Sequence, residues 1–392
     1  MSKKHIIWAV IFLVIFAALK VSSYSPQNTP SFIPPEDKPE QSTLPQTIVR
    51  PGIINTVAGI GSPGFSGDDG LYANQAQLNY PCAVKVDHAG NINILDCGNN
   101  RVRRVYPDGT ITTIAGNGKK DFFMQNIQAE RFSFKQVSAI VADNNNNIYV
   151  ADEGYNRIFK IDRSRTLTVY AGNGKDGRAG DGKQAASAAI GAPSGLAIDN
   201  QGNIYVSQRK DHVIRKITLN GVISTLAGTG EPGYSGDGGQ AALAQFNAPA
   251  CIDITTTGVL LVADLGNQAI RRINNDNTIT TILDNKKMKE AYVGANTGDI
   301  ELQGIYNLAA DNNGNLLISD AYSNRIFKMS PDGKVATIAG SGTAGYSGDG
   351  GKALAAKLNG PQGINVDSNG NLFIADAKNN VVRQVYFPPQ PE

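Results

Sequence analysis

Side chains able to bind a metal or act as nucleophiles are few in this chain. Its 392 residues hold three histidines (His5, His88, His212) and three cysteines (Cys82, Cys97, Cys251). A zinc site needs three or four converging ligands of these types. Here His5 sits in an N-terminal apolar segment, and His88 and His212 fall on loops of opposite faces once the strands are placed. No C-x-x-C, Ser-His-Asp or Cys-His arrangement and no phosphate-binding loop stands out.

Carboxylates do recur. Asp96, Asp152, Asp264, Asp320 and Asp376 stand on a ladder of 56-residue steps that Gln208 completes. Each precedes a polar loop, in some copies with Asn-Arg beyond it, as in Asn156-Arg157 or Asn324-Arg325. Hydrogen bonds and a charge pair with that arginine would knit one loop. A second series, Asp68, Asp181, Asp237 and Asp349, lies in Gly-rich motifs such as Gly233-Tyr234-Ser235-Gly236-Asp237 and Gly345-Tyr346-Ser347-Gly348-Asp349. One reading is a ring of acidic and aromatic groups holding a ligand or Ca²⁺. The other, favoured by repetition, is a scaffold in which Asp caps a short helical turn and Gly permits tight geometry. Ca²⁺ loops supply more carboxylates per site.

The spacing of 56 defines the elements that position these groups. One unit contains a short apolar run (Gly195-Leu196-Ala197-Ile198), an Asn/Asp/Gly turn and a second run (Ile204-Tyr205-Val206). A polar loop follows, then a third run such as Arg325-Ile326-Phe327-Lys328-Met329. A Pro331-Asp332-Gly333 turn leads to a fourth, Val335-Ala336-Thr337-Ile338. These are four strands joined by turn residues. The second run is apolar on both faces, as a strand covered on both sides must be. In the third run, Ile270 and Ile273 point one way while Arg271 and Arg272 are expected in water. Small residues at Ala83, Ala139, Gly195 and Gly363 suit crowded inner strands. No segment of the repeats shows a sustained helical period.

Six four-stranded units predict an all-β fold, a six-bladed β-propeller. The last unit lacks a fourth strand after Val385. The segment Ile53-Ile54-Asn55-Thr56-Val57-Ala58 has the fourth-strand pattern of Ile111-Thr112-Thr113-Ile114-Ala115. The N-terminal strand is therefore expected to complete the last blade and close the ring, hiding its edges. The pattern GNIYV with RIFK, joined by AGTGEPGYSGDGG, resembles the NHL-repeat family over roughly residues 52–387. The resemblance implies the propeller fold and leaves function open, because such folds serve binding modules and some enzymes.

Residues 1–25 carry Lys3 and Lys4, then an apolar run over 6–19, as in a signal peptide or signal anchor. The run is short for a bilayer span. Residues 26–51 are Pro-rich and read as a semi-rigid linker; residues 388–392 form a tail. The ring is thus expected outside the cytoplasm, periplasmic or extracellular, or held at the membrane by residues 6–19. Export permits a disulfide between Cys82 and Cys97, which face each other around the turn at His88-Ala89-Gly90. The alternative is two small buried hydrophobes. A net charge of +2 with no long like-charge run shows no nucleic-acid footprint.

A specific ligand needs asymmetry, and a few blades break the repeat. Blade 3 has Gln208 followed by Arg209, Lys210, Asp211 and His212. The connector after blade 1 reads Lys119-Lys120-Asp121-Phe122-Phe123, and the one after blade 4 is Lys-rich before Tyr292. Lys85 and Asp253 place charges on inner strands. The long connectors and the loops after the second strands share one face, where binding residues concentrate. Lys119, Lys120, Phe122, Phe123, Arg209, His212, Lys85 and Asp253 are accordingly the candidate ligand-binding residues, for a protein, peptide or glycan. The enzymatic alternative implied by the resemblance is a lyase- or lactonase-like propeller. The lactonase version would place Ca²⁺ among Asp253, Asn307 and Asn365.

Overall fold

The computed structural model describes residues 52–120, 126–293 and 301–386. The N-terminal apolar segment, the Pro-rich linker, the C-terminal tail and Phe122 and Phe123 lie outside the described residues. Among the described residues, no helix is long and apolar enough to cross a membrane.

Six antiparallel sheets form the blades. Blade 1 comprises Pro81–Val86, Ile92–Asp96, Arg101–Val105 and Ile111–Ala115. The innermost strands of blades 2 to 6 are Val137–Ala142, Pro193–Ile198, Pro249–Ile254, Ile305–Ala310 and Pro361–Val366. Each begins 56 residues after the one before, so the sequence period is the blade period.

Ring closure follows the N-terminal strand as expected. Ile53–Ala58 runs antiparallel to Val381–Tyr386, with Ile53 opposite Tyr386 and Thr56 opposite Arg383, and a bulge before Ala58. This strand supplies the fourth member of blade 6.

In blades 2 to 6 the second strands are buried on both faces along their whole length, as in Ile204–Gln208, and in blade 1 only Ile92 is half-buried. Their side chains feed six apolar clusters, one between each pair of neighbouring blades. The cluster between blades 1 and 2 stacks Phe132, Phe134 and Phe159, with ring centroids 5.0 and 4.6 Å from Phe132. Nonpolar area removed from water between blades, at about 25 cal/mol per Å², is the main force holding the ring. The inner strands crowd at the axis: a Cβ on Gly195 would lie 2.5 Å from the Ala250 carbonyl, and one on Gly363 2.5 Å from Ala83 Cα. That close approach explains the small residues there.

Two local expectations are overturned. Arg271 is buried rather than wet. A seven-residue helix, Asn285–Ala291, occupies the connector after blade 4, with the Asp284 side chain accepting from the Lys287 N–H as its N-cap. Two turns are too short to leave a periodic signal that stands out from a polar loop.

Candidate functional site

The repeated carboxylates build the scaffold. Asp96, Asp264 and Asp376 each accept an N–H from the connector behind them (Asn79, Asn247 and Asn359, all at 2.7 Å) and an amide from Asn99, Asn267 or Asn379. Their cation is a buried arginine of the third strand, Arg103, Arg271 or Arg383, 3.5–3.6 Å away. In blade 1 it is not Arg101, the arginine directly after the polar loop; Arg101, like Arg157 of blade 2, instead donates to a connector carbonyl.

The same buried arginines reach the second acidic series. Arg103, Arg215, Arg271 and Arg383 pair with Asp68, Asp181, Asp237 and Asp349. Asp68, Asp181 and Asp237 also accept the N–H of Thr113, Thr225 and Thr281. The series does not cap the Ala-rich turns, whose N-cap residues (Tyr72, Gln184, Gln240, Lys352) are not acidic and make no capping side-chain bond. Phe65, Tyr234 and Tyr346 stack over Arg103, Arg271 and Arg383. The acidic–aromatic motif is therefore one half of a clamp that fastens a connector to its blade.

The pattern has a rule. Where the connector lacks the motif, before blades 2 and 5, phenylalanine (Phe159, Phe327) replaces the arginine. The buried aspartates there are satisfied by backbone instead. Asp152 accepts from the N–H groups of Lys135, Gln136 and Tyr155, and Asp320 from Gln303, Gly304, Tyr322 and Ser323. In blade 3, Gln208 keeps the geometry without charge: its carbonyl accepts from Arg215 and its amide donates to Asp211. Burial pushes Asp96 and Asp376 up to about 6, with their hydrogen bonds and arginines pulling the other way.

The asymmetry lies on the axis. A channel of about 320 Å³ runs between the inner strands, lined at its connector-face mouth by Tyr80, Gln136, Glu153, Arg209, Tyr306 and Gln362. These come from three equivalent positions of different blades. One is the residue after each buried acidic or amide anchor: Cys97, Glu153, Arg209, Leu265, Ala321 and Ala377. At the mouth, Arg209 Nη2 lies 3.4 Å from Glu153 Oε2, which also accepts from Gln136 Nε2 at 2.9 Å. Gln362 Nε2 donates to the Tyr80 hydroxyl at 2.6 Å. Tyr80, Tyr306 and Tyr322 are 38%, 42% and 67% exposed. The ring of Tyr322 covers Gly304 and occupies the space a Cβ there would need. Burial raises the Tyr306 phenol, with Tyr80, Tyr322 and Glu153 adding to the shift and Arg209 opposing it. Burial likewise raises the Glu153 carboxyl against Arg209 and Lys210.

Of the residues singled out in the sequence, Arg209 stands in this mouth. His212 is a blade-to-blade joint: its Nδ1 accepts the Ala248 N–H at 3.0 Å from a left-handed backbone position. Asn156, Asn324 and Asn380 do the same for Ala192, Gly360 and Tyr80. Lys85 and Asp253 line the channel four residues along their strands, deeper than the mouth. Asp253 Oδ2 accepts the Ala310 N–H at 2.7 Å, and burial raises its carboxyl against the pull of Lys85. Lys119 and Lys120 are exposed on their connector and do not line the channel.

Asn307 and Asn365 also give a side-chain oxygen to the next blade, at Ile364 and Val86. Asp253, Asn307 and Asn365 thus act as seams between inner strands. No cluster of three His, Cys, Asp or Glu side chains occurs among the described residues. The structure pairs Cys82 with Cys97, Cα atoms 5.8 Å apart, beside the mouth. Cys251 is buried and its thiol is pushed up to about 12.

Tyr80, Gln136, Glu153, Tyr306 and Gln362 were missed by sequence reasoning. Each belongs to a position that is small or apolar in several other blades. Comparing the six residues of each such position, rather than looking for departures from a motif, would have flagged them.

Comparison with known proteins agrees with this architecture. The teneurin NHL domain family matches residues 162–232 and 270–386. Teneurin-3 of Mus musculus is 25% identical over 388 residues, covering 86% of this chain and 13% of the teneurin. Protein SUPPRESSOR OF QUENCHING 1 of Arabidopsis thaliana is 27% identical over 337 residues, covering 83% of this chain and 27% of that protein. The chain therefore corresponds to a small part of these relatives. Among solved structures, a protein of unknown function from Bacteroides thetaiotaomicron superimposes with a TM-score of 0.60 at 16% identity, covering 85% of this chain and 75% of that one. A gluconolactonase of Xanthomonas campestris gives 0.52 at 12% identity, covering 81% and 89%. At such identities the likeness is one of fold. Six in-phase repeats, the closing strand and these matches lead to one conclusion: the chain is a six-bladed β-propeller whose repeats are similar to those of the teneurin NHL domain family.

Proposed function

We propose that this propeller is a binding module, exported on its N-terminal segment, that engages a protein, peptide or glycan at the connector-face mouth of its channel. The observation that carries this reading is the mouth itself. Elsewhere the repeat is used for clamps and seams, whereas here three equivalent positions diverge into exposed tyrosines, two glutamines and an Arg–Glu pair. Concave sites with aromatic walls and a few convergent polar groups are where ligands bind. Loops held by a rigid scaffold keep such groups in place.

The test is to probe the full chain against peptide and oligosaccharide arrays beside two variants of matched stability. Arg209→Ala with Tyr306→Ala is expected to abolish the wild-type signal. Lys119→Ala with Lys120→Ala is expected to keep it. The reverse outcome would move the site to the connector after blade 1. Cell fractionation of the full chain, with and without residues 1–25, tests export.

A further inference from the structure

The mouth is close to electrically neutral although it contains charge. Arg209 and Glu153 face each other, and the tyrosines and glutamines add none. An anionic ligand would meet Glu153, and a cationic one Arg209. Arg209 uses one of its five N–H groups on Glu153. On Glu153, Oε2 takes both protein hydrogen bonds, from Arg209 and Gln136, so Oε1 is left for a ligand. The chemistry that satisfies both residues at once is a pair of neighbouring hydroxyls, one accepting from the guanidinium and one donating to the carboxylate. Tyr306 and Tyr322 supply flat apolar surface with a polar edge beside them.

The shape narrows the ligand further. A peptide recognised through its backbone needs several residues of open strand edge. The axis offers instead a channel of about 320 Å³ enclosed by the inner strands, suited to the end of a chain entering at its mouth rather than to a middle laid along a strand edge.

We infer that the mouth holds the terminal hexopyranose of a neutral glycan, with Arg209 and Glu153 on adjacent hydroxyls and Tyr306 against the ring's C–H face. This rests on the reading of the mouth as the ligand site. The experiment is calorimetric titration of the full chain with maltohexaose, cellohexaose, mannohexaose and chitohexaose, and with hexagalacturonate and a mixed peptide pool as contrasts. One or more neutral hexasaccharides should bind. Tyr306→Ala should weaken that binding about tenfold or more, as loss of one aromatic contact does. Glu153→Gln, which keeps shape but loses the anionic acceptor, should weaken it several-fold, while melting temperatures stay at the wild-type value. Mouth-dependent binding of the uronate or of peptide alone would overturn the neutral-glycan assignment and leave the mouth as the site. Neutral-glycan binding unaffected by both substitutions would overturn both readings. No binding of any neutral hexasaccharide at ~1 mM would overturn this inference.

Discussion

Arg383→Leu tests whether the buried arginines hold the ring. Arg383 is fully buried and bridges two carboxylates: Asp349, 43% exposed and 2.6 Å away, and Asp376, fully buried and 3.6 Å away. The half-exposed pair is screened by water and contributes at most about 1 kcal/mol. The buried one dominates. Removing the cation leaves Asp376 with only the Asn359 N–H and the Asn379 amide, and stripping one partner from a buried pair costs about 3–5 kcal/mol. Leucine restores apolar volume but not charge. Blades 2 and 5 show that an apolar residue is accepted here only where three or four backbone N–H groups surround the carboxylate. Blade 6 has no such nest. The variant should therefore lose about 3–5 kcal/mol in equilibrium urea unfolding near pH 7.5. The loss should shrink near pH 5, because Asp376, already raised to about 6 by burial, then takes up a proton. A loss below ~1 kcal/mol, or one equal at both pH values, would refute the reasoning.

Three further outcomes are expected. Asp96 and Asp376 titrate at about 6 in the folded protein, against an ordinary aspartate value of 3.8 in the unfolded chain. Folded protein thus binds protons more tightly than unfolded chain. Stability from these two groups should rise as pH falls from 7 to 5, by about 1 kcal/mol each; Asp96→Asn with Asp376→Asn should flatten that part of a urea-unfolding pH series. His212→Asn should keep near-wild-type stability, because asparagine accepts the same bond in three other blades. His212→Ala should lose about 1–3 kcal/mol by orphaning the Ala248 N–H, as read by thermal unfolding. Reducing the Cys82–Cys97 bond, which closes a 15-residue separation, or replacing both with serine, should cost about 3 kcal/mol; an unchanged melting curve with and without reductant would show that the bond does not constrain the fold.

The amino-acid sequence by itself determined the fold. A constant step of 56, Asn/Gly turns and runs apolar on both faces leave few alternatives to a six-bladed ring. The pairing of Ile53–Ala58 with Val381–Tyr386 followed from a missing fourth strand. Side-chain roles within the repeat were less legible. Arg271 looked solvent-facing because strand alternation says which face a side chain takes, not whether a connector folds over it. Only the tertiary structure brought Asp237, from 34 residues upstream, onto that arginine. The same holds for the mouth. Tyr80, Glu153, Tyr306 and Gln362 lie up to 282 residues apart, and each looks ordinary within its own blade; Arg209 alone among the mouth residues stood out as a break in the repeat. They form one surface because a closed ring brings equivalent positions of all blades to a single axis. Local patterns fix the blade; closure decides which of its exceptions meet.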